Sequence, residues 1–240
     1  MHSTTNAIKT AQLVIDNTSK VIVGKRDVIE LAVATLIAQG HLLVEDVPGV
    51  GKTMLAKSLA TSIGCSFNRI QCTPDLLPSD ITGLSIYNQQ NGQFEFRQGP
   101  LMSQVVLADE INRATPKTQS ALLESMEEHQ ITVDGVTHPL HAPFMVLATQ
   151  NPIEYEGTFP LPEAQLDRFL MRINLGYPSV EEELKIISEQ EIAHPITVLE
   201  SVTTPAGIVE MQETVNTIYV DSLIREYIVK LTESTRSHPE

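Results

Sequence analysis

The chain has 240 residues, of which 42% are hydrophobic and 19% are charged. This composition is that of an ordinary globular protein, and it argues against a disordered chain, a collagen-like chain or a membrane span. The formal net charge is −14, and since nucleic acids bind basic surfaces, we expect no nucleic-acid partner. Cys65 and Cys72 are the two cysteines, and the first ten residues lack the apolar stretch of a secretory signal. We therefore expect reduced thiols and a cytoplasmic protein.

Apolar segments that predict buried strands alternate with segments that predict helices. In chain order the predicted elements are a helix at 26–39, a strand at 41–45, a helix at 53–63, a strand at 67–71, a hairpin at 84–97, a strand at 104–108, a helix at 117–128, a hairpin at 131–137, strands at 144–149 and 169–174, and helices at 181–191 and 222–234. This order predicts an α/β fold, in which helices cover both faces of a parallel sheet. Pro178 is a plausible boundary, with a helical segment beyond it.

The first motif lies between the strand predicted at 41–45 and the helix that follows it. Gly49 and Gly51 allow backbone N–H groups to turn inward around phosphate groups, and the positive end of the helix dipole points at the same place. In such a loop the Lys52 ammonium reaches the β- and γ-phosphates and the Thr53 hydroxyl binds magnesium. The usual pattern has a further glycine at the position of Asp46. A plain glycine turn does not explain the lysine and the threonine, so the pattern predicts a site for ATP with magnesium.

Two acidic residues, Asp109 and Glu110, end the apolar strand predicted at 104–108. Magnesium prefers oxygen ligands and keeps several waters, one of which Asp109 can hold. Ligands gather at this edge of an open α/β sheet, where Glu110 is placed to activate an attacking water as a general base. A strand that ends in solvated charge is the alternative, and the phosphate loop upstream favours the catalytic interpretation.

Two more polar residues follow farther along the chain. Asn151 comes after the strand predicted at 144–149, where its amide can bond to a γ-phosphate or to the attacking water; alternatively, Asn151 and Pro152 only form a turn. Arg168 lies where a helix gives way to a strand. An arginine supplied across a subunit boundary stabilises transition-state charge. Local sequence alone favours a pair between Arg168 and Asp167 or a cation at a helix C-terminus.

These four elements, in this order, resemble those of the AAA+ ATPases and, more closely, of the MoxR family of chaperone-like ATPases. The resembling segments are residues 45–53, 109–114, 148–152 and 161–169, and the resemblance spans about residues 20–176. It implies an AAA+ core at 1–176, in which the two hairpins are the helix-2 and pre-sensor insertions, and a helical lid at 177–240. The family tolerates an aspartate at position 46.

The resemblance also implies roles for individual residues. Glu110 matches the catalytic base, Asn151 the first sensor, and Arg168 the finger that acts on the neighbouring subunit. Residues 22–24 match the segment that lies against adenine. The implied cofactors are ATP and Mg²⁺, with Thr53 and Asp109 on the metal and Lys52 among the catalytic residues. The implied nucleotide contacts are Val23, Gly24, Pro48, Gly49, Val50, Gly51, Lys52, Thr53 and Met54.

A member of this family is expected to form a ring, usually a hexamer, and to remodel partner proteins, some of which carry a von Willebrand A domain. One alternative is a nucleic-acid motor, but the predicted hairpin tips at residues 91–92 and 134–135 carry no lysine or arginine. Another is a scaffold gated by nucleotide, against which Glu110 argues. Neither Arg225 nor Arg236 matches the second sensor of the lid, so we expect a lid that is only partly included in this sequence.

Overall fold

A computed structural model describes residues 2–152, 157–190 and 194–238, and its centre is a sheet of five parallel strands. The described residues form nine strands in all: β1 (Leu42–Glu45), β2 (Phe67–Gln71), β3 (Gly83–Asn88), β4 (Gln93–Gln98), β5 (Val105–Asp109), β6 (Gln130–Val133), β7 (Val136–Pro139), β8 (Met145–Gln150) and β9 (Met171–Ile173). The sheet has the order β2-β5-β8-β1-β9, and β3–β4 and β6–β7 form separate antiparallel hairpins. The predicted α/β class with a parallel sheet is confirmed.

Helices cover both faces of the sheet. The α-helices of the described residues are α1 (His2–Thr18), α2 (Arg26–Ile37), α3 (Lys52–Ser62), α4 (Pro78–Thr82), α5 (Pro116–Glu128), α6 (Glu163–Leu166), α7 (Val180–Gln190), α8 (Pro205–Asn216) and α9 (Ser222–Arg236), and the last of these has no buried side chain. No helix among the described residues is both long and apolar enough to cross a membrane. Most of the predicted helices and strands are found within a few residues of their expected bounds. Glu191, at the end of the helix predicted at 181–191, lies outside the described residues.

Alternation along the strands separates the core into two layers, because successive side chains point to opposite faces. Val105 and Leu107 of β5 join the layer beneath α1, α2 and α3, whereas Val106 and Ala108 join the layer beneath α4 and α5. Burial on both faces explains why the central strands are continuous apolar runs instead of alternating ones. In the three central strands β5, β8 and β1, the charged residues Asp109 and Glu45 are consequently found only at strand ends.

Helix α1 is the main element that the sequence did not predict. Its first half is polar, and only near its end do Val14 and Ile15 enter the core, where α1 packs against α2, α3 and α8. Helix α8 belongs to the segment expected to form the lid, yet its Ile208 and Met211 lie in the same core layer as α1 and α2. The division of the chain at residues 176 and 177 stays a prediction.

The two hairpins touch each other on the surface of the molecule. The Phe96 ring of β4 stacks on the His138 ring of β7, with centroids 3.9 Å apart and an interplanar angle of 16°. Their turns use left-handed backbone at Gly92, Asp134 and Gly135, as the two asparagine–glycine and aspartate–glycine signals predict. The hairpins therefore form one composite surface feature outside the main sheet.

His41 is buried at the start of β1 and links three elements. Its Nδ1 accepts a hydrogen bond from the Val146 N–H of β8 at 3.0 Å, and its Nε2 donates to the Met126 carbonyl of α5 at 3.1 Å. Burial, together with the charge of the neighbouring His129, lowers the pKa of His41 to about 4. A proton on Nδ1 would face the Val146 N–H, so the fold holds a neutral imidazole.

We predict that His41 makes the protein less stable in mild acid. The unfolded histidine keeps its ordinary pKa of 6.5 and takes up a proton before the folded one does. The contribution of His41 to the free energy of unfolding is therefore fully present above pH 6.5 and is lost as the pH falls toward 4, by about 3 kcal/mol. Urea unfolding from about pH 7 to about pH 4 measures this loss. His41→Gln should flatten this pH dependence, whereas the exposed control His141→Gln should keep it; equal slopes in all three proteins would contradict the assignment.

Candidate functional site

The carboxyl ends of β1, β5 and β8 meet at one edge of the sheet and bring the predicted phosphate loop to the predicted carboxylates. Helix α3 begins directly after the loop, and Gly51 before it has φ 96° with no side chain capping the helix. Gly49 has φ 89°, and a Cβ at either glycine would meet no atom within 4 Å. The loop is thus an open cradle of backbone N–H groups at a helix N-terminus, which suits an anion.

Two adjoining cavities lie over this loop and share Gly49, Gly51 and Met54. The first, of about 340 Å³, is the more polar of the two and includes Lys52 and Arg69 on its wall. Its predicted lining residues are Pro48, Gly49, Gly51, Lys52, Thr53, Met54, Asp109 and Glu110. The second, of about 560 Å³, is mainly apolar and is lined by Val21, Ile22, Val23, Val50, Ile186 and Ile187, among others. An apolar chamber beside a polar one has the form that a base joined to phosphates requires.

Gly24, beside the apolar cavity, is a position where a larger residue would clash. Its φ is 74°, and a Cβ there would lie 1.6 Å from the Glu182 Oε1 of α7. Next to it, the Lys25 ammonium donates to the Tyr177 carbonyl at 2.9 Å. The predicted base-binding segment is therefore attached to the start of α7 and to the linker that precedes it.

Asp46, which stands where a glycine is usual, is bonded through both its backbone and its side chain. Its carbonyl accepts a 2.6 Å hydrogen bond from the Lys52 ammonium. Its carboxylate accepts from the Val47 N–H at 2.9 Å and from the Gly176 N–H at 2.6 Å. The residue that departs from the motif therefore joins the loop to the linker between β9 and α7.

Asp109 is held by two donors, one on each carboxylate oxygen. Its Oδ1 accepts from the Thr149 hydroxyl at 2.5 Å. Its Oδ2 accepts from Arg69 Nε at 3.1 Å and from Arg69 Nη2 at 2.6 Å. The carboxylate, with its side chain 12% exposed, thus carries a cationic partner in this structure.

Glu110 has left-handed backbone, with φ 58°, directly after β5. Its N–H donates to the Thr149 hydroxyl at 2.8 Å. Its Oε2 accepts from the Gln71 amide at 3.1 Å and pairs with Arg113 Nε at 3.3 Å. The Thr149 hydroxyl consequently fixes both acidic residues relative to β8.

Arg69, Gln71 and Thr149 are the site residues that the sequence did not predict. Arg69 and Gln71 are two positions apart on β2, so they share a face of the sheet, and Gln71 is paired in register with Asp109. The pattern that could have predicted them is a pair of polar residues at alternate positions, Arg69 and Gln71, in a segment otherwise predicted to be a buried strand. This pattern points to the site only when β2 is known to lie beside β5.

The two remaining predicted residues, Asn151 and Arg168, are not among those that line the polar cavity. Asn151 is 5% exposed and lies directly after β8. The Arg168 guanidinium pairs with Glu127 at 2.8 Å through Nη2, and its side chain is 35% exposed. Arg168 is absent from the walls of both cavities. A residue that serves a neighbouring subunit's site would lie outside its own.

The residues present fit a magnesium nucleotide. The open backbone cradle and Lys52 suit phosphate groups, and the Thr53 hydroxyl and the Asp109 carboxylate are hard oxygen donors of the kind magnesium takes. Within the described ranges there is no cluster of three or more His, Cys, Asp or Glu placed to hold a metal alone, so phosphate oxygens and waters would complete the coordination. Burial, and then the charges of Asp109 and Glu110, raise the pKa of the Cys72 thiol to about 12. The thiol therefore stays protonated near neutral pH and does not act as a metal ligand.

Comparisons with known proteins agree with this geometry. Residues 41–171 match the model of the ATPase family associated with various cellular activities (AAA). The chain is 58% identical over 225 residues to the uncharacterized protein YeaC of Bacillus subtilis, and 43% identical over 229 residues to Chaperone MoxR1 of Mycobacterium tuberculosis. A solved structure from Cytophaga hutchinsonii, described as a candidate ATPase, superposes with a TM-score of 0.85 at 42% identity.

These relatives are longer than the chain. The alignments include 94% of the chain and 70% of YeaC, 95% of the chain and 60% of Chaperone MoxR1, and 96% of the chain and 71% of the Cytophaga protein. The shared part contains the whole site described above.

We predict that Thr149→Val destabilises the fold although the two side chains have nearly the same shape. The substitution leaves the Glu110 N–H and Asp109 Oδ1 without this partner in a buried place, which costs about 1–3 kcal/mol. Chemical denaturation measures the loss. Thr35→Val is the matched control, because the Thr35 hydroxyl is equally buried but donates to the Leu31 carbonyl inside α2. An equal loss in the two variants would refute a special role for Thr149.

Proposed function

The chain belongs to the MoxR family of AAA+ ATPases, and on that premise we propose that it binds ATP with Mg²⁺ and hydrolyses it. The observation that carries the proposal is the meeting of the Lys52 loop with Asp109 and Glu110 at one wall of a polar cavity. A loop alone would support binding only. A carboxylate pair facing it supplies what hydrolysis needs.

Lys52 is the residue that we assign to the phosphates. In the described state its ammonium bonds to the Asp46 carbonyl, within the same loop. A β- or γ-phosphate offers a charged acceptor, which makes a stronger hydrogen bond than a neutral carbonyl does. Lys52 would therefore turn from its own loop to the nucleotide, while the N–H groups from Gly49 to Thr53 hold the remaining phosphate oxygens.

Glu110 is the residue that we assign to the attacking water. Its carboxylate is oriented by Gln71 and Arg113, and its backbone by Thr149. A carboxylate held in this way can accept the proton of a water aligned with the γ-phosphate. Bound Mg²⁺, held by Thr53 and by water on Asp109, would neutralise charge that develops on the phosphates.

The apolar cavity is the place that we assign to adenine. Val23 and Val50 lie on its wall, and Met54 lies where it joins the polar cavity. Gly24 lies between Val23 and Lys25, which both line this cavity, and Pro48 lines the adjoining polar cavity. Because α7 also lines this cavity through Ile186 and Ile187, nucleotide would contact the segment at 177–240, which we propose to act as the lid.

Two further residues complete the proposed machinery, and the second of them requires an oligomer. We assign Asn151 to sensing the γ-phosphate and Arg168 to a neighbouring subunit's nucleotide. Arg168 pairs with Glu127 and lines neither cavity of its own chain, which supports the assignment. The assembly would be a homo-oligomeric ring, in keeping with the hexamer expected from the resemblance.

Partner proteins are the proposed target of this ring. A relative that is 43% identical bears the name Chaperone MoxR1, and partners with von Willebrand A domains stay a prediction, as does the cytoplasmic location. A nucleic-acid motor is disfavoured, since the net charge is −14 and a phosphate backbone needs basic contacts. A scaffold that does not hydrolyse ATP is disfavoured by the oriented Glu110.

We predict that two substitutions in the polar cavity separate binding from turnover. Lys52→Ala removes the cation that faces the phosphates, so tight ATP binding should be lost in calorimetry at fixed magnesium. Glu110→Gln keeps shape but loses the base, so ATP should still bind while phosphate release falls by roughly 10² or more. Unchanged ATP affinity in Lys52→Ala would refute the site. Near-parental turnover in Glu110→Gln would mean that another group activates the water.

We predict that Arg168→Ala binds ATP but hydrolyses it about 10³-fold more slowly, because transition-state charge goes unmatched. Glu127→Ala is the matched control: it removes the intrachain partner of Arg168 and should stay active. Mixing Arg168→Ala with Glu110→Gln at high concentration should restore part of the activity, since some interfaces then combine an intact base with an intact arginine. An inactive mixture in which mixed oligomers are demonstrated would rule out action across subunits.

A further inference from the structure

Arg69 occupies a position that nothing in the phosphate-loop motif accounts for. It lies on the edge strand β2, and its side chain reaches over β5 to the carboxylate of Asp109. Both Nε and Nη2 bond to the same oxygen, Oδ2, while Nη2 also bonds to the Gln71 side chain at 2.5 Å. Arg69 is one of the residues that line the polar cavity, as are Thr53 and Asp109.

This contact leaves little room for a second cation on Asp109. The Oδ1 atom already accepts from the buried Thr149 hydroxyl, which leaves Oδ2 as the oxygen for a partner from the cavity that Asp109 lines. A magnesium ion or its water would need the same atom that Arg69 holds. Arginine and magnesium are therefore alternative partners of one carboxylate oxygen.

We propose that Arg69 is the resident counter-cation of Asp109, which gives way when magnesium nucleotide binds and thereby sets the magnesium concentration that binding requires. The inference rests on the proposed function, because it concerns the same cavity. Arg69 is a positioning residue in this scheme. It protects a nearly buried carboxylate from being left without a cation, which would be costly, and it opposes metal entry by the strength of its own hydrogen bonds.

The exposure of the two partners makes an exchange feasible. The Asp109 side chain is 12% exposed and needs a partner, whereas the Arg69 side chain is 47% exposed and can return to water at small cost. Displaced by magnesium, Arg69 also releases Gln71, whose amide bonds to Glu110. Binding of the metal at Asp109 is thus linked to Glu110 through the side chains of Arg69 and Gln71.

The test is the magnesium dependence of ADP binding, measured by calorimetry or with a fluorescent ADP analogue from EDTA to saturating magnesium. Arg69→Gln should lower the magnesium concentration at half-maximal enhancement by roughly three- to tenfold, the effect of a modest ion pair. It should also lower the melting temperature in EDTA and leave that of the Mg-ADP complex nearly unchanged. Arg69→Lys, which keeps the charge, should lie between the parent and Arg69→Gln.

Two controls make the result specific. Arg172→Gln removes an arginine of β9 that pairs with Glu45 of the neighbouring β1 at 3.3 Å, and it should not move the magnesium midpoint. In an Asp109→Asn background, Arg69→Gln should lose its effect on the midpoint, because the shared oxygen no longer carries charge.

The outcomes separate this inference from the proposed function. If the parent binds no ADP with magnesium, the proposed function fails and the inference fails with it. If the parent binds Mg-ADP while Arg69→Gln keeps the parental midpoint within twofold, only the inference is overturned. A midpoint that rises in Arg69→Gln also overturns it, because Arg69 would then assist the metal.

Discussion

Burial of the parallel sheet on both faces is the constraint from which the rest of this structure follows. Strands β5 and β8 are enclosed by two layers of apolar side chains, and an ionised group placed among them would have no water and no partner. In these central strands a charged residue is therefore tolerated only at the strand end, as Asp109 is at the end of β5. Because all five strands are parallel, their carboxyl ends lie at the same edge. Because the core excludes charge and the strands are parallel, the acidic and polar groups of the site lie together at this edge.

The charges gathered at this edge are matched in pairs. Asp109 is met by Arg69, Glu110 by Arg113, and Glu45 by Arg172. Lys52, by contrast, is held by a neutral carbonyl. The paired arginines keep neighbouring carboxylates from repelling one another, and the weaker partner of Lys52 leaves the ammonium ready for an anion. The carboxylates at this edge are therefore neutralised by arginines, while Lys52 stays suited to bind the phosphates of a nucleotide.

Local patterns were enough to predict the sheet, the loop and the carboxylates. Strand β2 was predicted with its observed bounds, and the glycines around Lys52 adopt the left-handed backbone that the motif needs. What sequence alone could not give are features made by distant partners. Helix α1 has a polar first half and is buried only through α2, α3 and α8. The contact of Arg69 with Asp109 spans 40 positions along the chain, so no local period reveals it.

The aspartate at position 46 also has a consequence for protein engineering. Asp46 accepts a hydrogen bond from the Gly176 N–H, 130 positions away in the chain, at the point where the backbone leaves the sheet for α7. A glycine there would match the more common loop pattern but could not make this bond, since it has no side chain. Redesign toward the consensus would thus detach the loop from the linker that carries the next helix. In this chain, the position that departs from the usual motif ties the phosphate loop to the segment that leads into α7.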